Sequence, residues 1–164
     1  MNKIYFAGPD VFEPDAKEIG EQLKQLAAEF GFVGLFPLDN EIPLQNDLRK
    51  TARAICSANL EMIHAADIVV ANLNPFRGFE PDSGTVFEVG YARALGKDVF
   101  CYATDRRSMI KRLRDYQQLP ADAVFCREGK VIENFNLSHN LMMVDLIVAD
   151  DVRGCLEIIA GRYQ

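Results

Sequence analysis

The chain has 164 residues, of which 49% are hydrophobic and 26% charged, which is typical of one globular domain and excludes a disordered chain. A net charge of −6 without any Lys/Arg run argues against a nucleic-acid partner or an anionic membrane surface. No apolar run approaches the length of about 18 residues that a transmembrane helix needs, and the first residues enter strand-like sequence without a signal peptide, so we expect a cytoplasmic protein with a single domain over residues 1–164.

Short β-rich runs alternate with amphipathic segments along the first two thirds of the chain. A strand is predicted where β-branched and aromatic residues form a short run between turn residues, and a helix where apolar residues recur every three or four positions. The elements predicted in this way are, in order, strand 3–7, helix 15–30, strand 32–36, helix 46–65, strand 67–73, helix 83–95 and strand 98–103.

The last third of the chain has a weaker pattern. Residues 124–126 and 131–132 predict either a fifth strand or a small hairpin, and residues 141–148 and 152–162 predict helices. Methionines such as Met142 within such a helix are typical of core residues. Alternation of strand and helix favours a parallel sheet with helices on both faces. We therefore expect a flavodoxin-like or Rossmann-like three-layer α/β sandwich with a central, mostly parallel five-stranded sheet.

Ligands of such folds bind beyond the carboxyl ends of the strands, where the strand order reverses. Three loops follow predicted strands at that edge, namely residues 8–12, 37–45 and 72–82, and we expect the functional site among them. No G-x-G-x-x-G follows the first strand and no G-x-x-x-x-G-K-[ST] is present, which disfavours the usual phosphate-binding loops. The third strand ends in Asn72 and Asn74, so it lacks the acid of a phosphoryl-accepting receiver.

Cysteines and histidines restrict the chemistry further. The four cysteines are widely spaced and form no C-x-x-C pair, which favours reduced thiols. His64 and His139 are the only histidines, so a His-based metal centre and a Ser-His-Asp triad are both disfavoured. We expect neither a metal nor a cofactor.

Residues 72–97 bring a strand end, a polar loop and a helix N-terminus together. Asp82 precedes the predicted helix, and Glu88 lies in its second turn, one turn after Gly84 on the same face. The glycine is expected to leave open space above the Glu88 carboxylate, and no Lys or Arg lies three or four residues away. Such a carboxylate can act as a nucleophile or general base. The alternatives are a solvated surface glutamate and, for Asp82, a plain helix N-cap.

Four segments in order carry a resemblance to a known family. They are I-Y-F-A-G-P at 4–9, P-L-D-N-E at 37–41, P-D-S-G-T-V-F-E-V-G-Y-A at 81–92 and N-L-M at 140–142. With these segments, which together span nearly the whole chain, the protein resembles the nucleoside 2-deoxyribosyltransferase family. The D-x-G-x-x-x-E-[LV]-G-x-A pattern is the most specific part, because acids and glycines must coincide.

The resemblance implies transfer of 2-deoxyribose between the nucleobases of 2'-deoxynucleosides. Glu88 is then the nucleophile that attacks the anomeric carbon and forms a deoxyribosyl ester, which a second base attacks with net retention. Asp82 hydrogen-bonds the sugar 5'-hydroxyl, and Tyr5, otherwise typical of a core residue, orients the nucleophile. Asn140 and Met142 reach into a neighbouring subunit's site, which implies a homo-oligomer built on dimers, up to a tetramer or hexamer.

The resemblance also implies further substrate-binding positions. Gly8 and Phe12 bound the first loop, Glu41 follows the second strand, and Gly84 belongs to the helix start. Asn59 stands where the family commonly has an aspartate, and an amide cannot supply a proton to a departing base. Some members have a glutamine where Glu41 stands, and a carboxylate mainly accepts hydrogen bonds from exocyclic amino groups.

Two other functions stay open at this point. A related family uses the same kind of nucleophile to hydrolyse 2'-deoxynucleoside 5'-monophosphates, and a non-enzymatic nucleotide-binding module can share the fold. Asp82 favours nucleosides, since a carboxylate about 4 Å from a 5'-phosphate opposes it by about 1 kcal/mol per charge in water. The expected partners are deoxynucleosides and free nucleobases, with slow hydrolysis as a side reaction.

Overall fold

A computed structural model describes residues 1–43 and 46–163. The last two positions of the predicted loop 37–45, Leu44 and Gln45, lie outside the described residues. Within the described residues, five strands form one sheet in the order β2-β1-β3-β4-β5, and every pairing is parallel. The strands are β1 (Lys3–Ala7), β2 (Val33–Leu35), β3 (Ile68–Asn72), β4 (Asp98–Tyr102) and β5 (Ile147–Ala149).

In the part of the chain that the structure describes, five α-helices connect and follow these strands. They are α1 (Ala16–Glu29), α2 (Leu48–Ala65), α3 (Ser83–Ala94), α4 (Met109–Gln117) and α5 (Val152–Tyr163). Three short 3-10 helices lie at Pro9–Phe12, Pro37–Asp39 and Leu141–Met143. The strand order and the helices on both faces confirm the predicted flavodoxin-like α/β fold.

The sheet separates two cores because successive side chains of a strand point to opposite faces. In β1, Ile4 and Phe6 are buried against the layer of α1 and α5. Tyr5 points to the other face and is buried against the layer of α2 and α3. This alternation brings the Tyr5 side chain onto the same side of the sheet as α3.

Each core contains one buried thiol. Cys155 of α5 lies in the first core and Cys101 of β4 in the second, and burial raises the pKa of both thiols to about 12. Cys56 is exposed and Cys126 is half-buried, and all four thiols are free.

Glycines let α1 lie close to β2. A Cβ on Gly34 would lie 2.8 Å from the Cα of Lys24, and a Cβ on Gly20 would lie 2.5 Å from Cδ1 of Phe36. Contacts this short are not tolerated by packed side chains, so the helix reaches this depth only because both side chains are absent.

Two sequence predictions for the last third are wrong. Residues 141–148, predicted as a helix, form a single 3-10 turn followed by β5, because Asp145 adopts a left-handed backbone (φ 62°) that ends any helix. Met142 is 71% exposed rather than a core residue. Residues 124–126 and 131–132 contribute an antiparallel bridge between Phe125 and Val131, which matches the hairpin alternative, and the fifth strand lies elsewhere.

Candidate active site

A cleft of about 310 Å³ opens beyond the carboxyl ends of β1 and β2, beside the N-terminus of α3. The strand order reverses at β1, because β2 lies on one side of it and β3 on the other, and this is where such folds bind ligands. The cleft is lined by Gly8, Val11, Phe12, Pro37, Leu38, Ile55, Asn59, Asp82, Gly84, Thr85 and Glu88. Each of the three predicted loops contributes to it.

The fully buried Tyr5 lies beneath the cleft, and its hydroxyl contacts the Glu88 carboxylate that lines it. The Tyr5 hydroxyl donates a hydrogen bond to Oε1 of Glu88 at 2.7 Å. Burial, followed by the charge of Glu88, raises the pKa of Tyr5 far above its usual range, so the hydroxyl keeps its proton and remains a donor. The contact joins the middle of the sheet to the second turn of α3 and fixes one oxygen of the carboxylate.

Opposing influences act on the Glu88 carboxyl. Its pKa is raised to about 7 as the net result: burial raises it most, the hydrogen bond from Tyr5 lowers it, the charge of Asp82 raises it, and the Asn59 amide lowers it. A half-buried carboxylate with this set of neighbours exchanges protons near neutral pH and has less solvation to lose than an exposed one when it attacks an electrophile. Glu88 is therefore not a solvated surface residue.

Asp82 is the N-cap of α3. Its Oδ2 accepts hydrogen bonds from the backbone N–H of Thr85 at 2.8 Å and from the Thr85 hydroxyl at 3.0 Å. A Cβ on Gly84 would lie 3.0 Å from this Oδ2, and no atom of Glu88 lies within 4 Å of that position. Gly84 and Glu88 line the same open cleft, and the missing side chain of Gly84 also makes room for the Asp82 carboxylate.

Asn59 and Phe12 form other parts of the cleft wall. Oδ1 of Asn59 is buried and has no hydrogen-bond partner within the described part of the chain. The Phe12 ring stacks on Phe76 with centroids 5.1 Å apart, and the guanidinium of Arg77 lies over both rings. A Cβ on Gly8 would lie 2.9 Å from the Cβ of Asn72, which disfavours any larger residue at this position.

Three predicted site residues lie outside this cleft. Glu41 is exposed in a neighbouring charged groove beside Lys17 and Asp39. Asn140 and Met142 line two other grooves. The α3 residues that line these grooves differ from the α3 residues that line the cleft, so a single chain does not bring Asn140 or Met142 to Glu88.

The Asn140 side chain is held in one orientation. Its Oδ1 accepts a hydrogen bond from the Met142 backbone N–H at 3.0 Å, and its Nδ2 donates to Oε2 of Glu133 at 2.9 Å. Glu133 also accepts from the backbone N–H of Leu141. The segment therefore presents Asn140 and the exposed Met142 in a defined arrangement on the surface.

Sequence reasoning missed the apolar wall and one polar residue of the cleft. Val11, Leu38 and Ile55 line it, but surface apolar residues carry no sequence signal of a ligand. Thr85 was missed as well, although it lies three residues after the N-cap, at the position whose backbone N–H donates a hydrogen bond to the capping side chain. Within residues 1–43 and 46–163, no group of three or more metal-binding side chains occurs, and no helix has the length and hydrophobicity to cross a membrane.

A comparison with family models identifies one family for most of the chain. The family model described as nucleoside 2-deoxyribosyltransferase matches residues 4–142. An uncharacterised protein of Schizosaccharomyces pombe is 30% identical over 118 residues, which cover 70% of this chain and 56% of that protein. The chain therefore spans about half the length of this curated relative.

Solved structures give the same result. A 2-deoxyribosyltransferase from Leishmania mexicana superposes with a TM-score of 0.81 at 35% identity, over 100% of both chains. A conserved protein of Enterococcus faecalis gives a TM-score of 0.65 at 25% identity, over 99% of both chains. A 2-deoxyribosyltransferase from Bacillus psychrosaccharolyticus gives 0.60 at 21% identity, over 94% of this chain and 90% of that one, which supports the fold alone.

Proposed function

The chain belongs to the nucleoside 2-deoxyribosyltransferase family, whose model matches residues 4–142, and on this premise we propose that it transfers 2-deoxyribose between the nucleobases of 2'-deoxynucleosides. The observation that carries the proposal is the hydrogen bond from the buried Tyr5 hydroxyl to Glu88 within the cleft. It provides an oriented, poorly solvated carboxylate at the edge of the sheet where ligands bind.

In the proposed mechanism, Glu88 acts as a nucleophile. Tyr5 holds Oε1, and Oε2 attacks the anomeric carbon while the bond from that carbon to the base breaks and its electron pair leaves with the base. The product is a deoxyribosyl ester of Glu88. A second base attacks the ester from the opposite side, the carboxylate leaves, and two inversions give net retention. Asn59 carries no acidic proton, so the departing base takes its proton from solvent.

Asp82 is proposed to recognise the sugar. Its Oδ2 is occupied by two donors from Thr85, and its other oxygen, Oδ1, receives no hydrogen bond from any described residue. An unoccupied carboxylate oxygen at the cleft wall is suited to accept a hydrogen bond from a 5'-hydroxyl. Its charge opposes a 5'-phosphate, which favours nucleosides over nucleotides.

Asn140 and Met142 are proposed to complete the site of a neighbouring copy. They are displayed on the surface rather than packed in the core, and they lie away from the Glu88 cleft of their own chain. In a closed symmetric contact, each chain would lend this segment to its partner. The proposed active form is therefore a homo-oligomer.

The direct test is an exchange assay. The protein is incubated with deoxyinosine and free adenine, and the products are separated by chromatography. Formation of deoxyadenosine supports the transferase, release of hypoxanthine without a new nucleoside indicates a hydrolase, and no turnover contradicts both enzymatic functions. Glu88→Ala should abolish exchange and hydrolysis while the protein stays folded, and mass analysis after acid quench should find a deoxyribosyl adduct on Glu88 of the unmodified chain.

A further inference from the structure

Thr85 is a buried threonine at the third position of α3, and it lines the cleft. Its side chain is only 2% exposed. Its backbone N–H and its hydroxyl both donate to the same oxygen of Asp82, at 2.8 and 3.0 Å. A helix N-cap needs only the backbone donor, so the hydroxyl adds a second, convergent contact beyond what capping requires.

The two donors restrict the rotation of the Asp82 carboxylate. When both hydrogen bonds end on Oδ2, the plane of the carboxylate is fixed and Oδ1 is the oxygen that remains for a ligand. Gly84 belongs to the same arrangement, because a Cβ there would lie 3.0 Å from Oδ2 and push it from this position. A backbone N–H alone would leave the carboxylate free to turn about that single contact.

We propose that Thr85 is a positioning residue for sugar recognition, and that its hydroxyl holds Asp82 so that Oδ1 accepts the substrate's 5'-hydroxyl. This inference rests on the proposed function. It attributes the preference for substrates with a free 5'-hydroxyl to Asp82 and Thr85 together, rather than to Asp82 alone. Thr85 itself does not touch the substrate in this arrangement.

The test compares two substrates that differ only at the 5' position. Exchange onto free hypoxanthine is measured with 2'-deoxyadenosine and with 2',5'-dideoxyadenosine, which lacks the 5'-hydroxyl. The variant Thr85→Val keeps the shape of the side chain and removes the donor, Thr85→Ser restores the donor, and Thr104→Val makes the same change at an exposed threonine outside the cleft. Thermal unfolding of each variant monitors the fold.

Thr85→Val should lower kcat/KM for 2'-deoxyadenosine by about 10-fold or more, the usual effect of losing a hydrogen bond to a charged group. The same variant should change kcat/KM for 2',5'-dideoxyadenosine by less than about two-fold, since that substrate makes no contact with Asp82. Thr85→Ser should retain most of the preference for the 5'-hydroxyl, and Thr104→Val should retain all of it. If Thr85→Val does not fold, Thr85→Ala carries the same comparison.

Four results separate the possible failures. Absence of exchange by the unmodified protein would contradict the proposed function. Equal use of both substrates by the unmodified protein would contradict the role of Asp82 and, with it, this inference. An equal loss on both substrates in a folded Thr85→Val protein, or a loss in Thr85→Ser as large as in Thr85→Val, would overturn the positioning role while the proposed function stands.

Discussion

At the scale of a single residue, opposite effects act on the ionisation of the Glu88 carboxyl. Its burial disfavours the ionised form, while the hydrogen bonds from Tyr5 and Asn59 favour it, and the result is a pKa of about 7. The nucleophile of the proposed reaction is the ionised form. Activity should therefore rise with pH through neutrality. Substitution of residues around Glu88 should shift the pH at which activity rises.

Tyr5→Phe is expected to shift the pH profile towards alkaline values. The change removes the hydrogen bond that lowers the pKa of Glu88, so the carboxyl stays protonated to higher pH. The loss of kcat/KM should be large at pH 6 and small at pH 9. The measurement is kcat/KM against pH for both proteins, and the same fold loss at every pH would contradict this explanation.

Glu88→Gln is expected to stabilise the protein at alkaline pH. Because folding raises the pKa of this carboxyl from 4.5 to about 7, the stability linked to its protonated form is complete below about pH 4.5 and is lost as pH rises through 7. The uncharged variant escapes this loss, which is on the order of 3 kcal/mol at pH 8. Urea unfolding at pH 4.5 and pH 8 tests this, since the gain should be confined to the higher pH.

At the scale of elements, the close approach of α1 to β2 depends on glycine. Gly34→Ala would place a Cβ 2.8 Å from the backbone Cα of Lys24, so the helix must move outward, at a cost of about 1–3 kcal/mol in the free energy of unfolding. Gly161→Ala in α5 is the matched control, because no atom lies within 4 Å of its added Cβ. Urea unfolding should show a loss for the first and none for the second; equal stabilities would contradict the packing argument.

The sequence predicted the elements whose own residues determine them. Strands β1, β3 and β4 are short apolar runs between turns, and α1, α2, α3 and α5 have apolar residues at helical spacing, so local pattern and structure agree. Strand β5 has only three residues, and it forms because it pairs with β4. This pairing is a tertiary contact, which the local sequence does not reveal. Helix α4 was not predicted, since its apolar residues are few among charged ones.

The site residues that belong to the sequence motifs could be predicted. Tyr5, Asp82 and Glu88 were singled out from the chain, and the fold brings all three into one cleft or its wall. The partner of Gly84 was not predictable, because spacing along a helix does not give the rotamer of Asp82. The unpartnered Oδ1 of Asn59 also depends on tertiary packing and leaves no trace in the sequence.

At the scale of the whole molecule, helix α3 separates two surfaces. Gly84, Thr85 and Glu88 face the cleft, whereas Val86 and Gly90 face the groove that contains Met142. If the proposed assembly is correct, each chain offers a nucleophile on one surface and a completing segment on the other. Two differently inactivated chains should then complement each other.

Glu88→Ala and Asn140→Asp proteins are each expected to be inactive, the second because a new carboxylate near Glu88 disfavours its ionised form. After dissociation and reassociation of an equal mixture, about a quarter of the sites should combine an intact Glu88 with an intact Asn140 in a dimer. The activity of the mixture is compared with that of each variant treated in the same way. Absence of activity after verified subunit exchange, or full activity of a monomer in sedimentation, would contradict the shared site.

The two buried thiols can report local opening of the helical layers on the two faces of the sheet. Cys155 and Cys101 lie on opposite faces, and a thiol with a pKa of about 12 does not react until its layer opens. Exposed Cys56 and half-buried Cys126 should be alkylated quickly, and the other two slowly, at the rate of local opening. The order in which Cys155 and Cys101 become labelled, read by peptide mass, therefore identifies which helical layer leaves the sheet first.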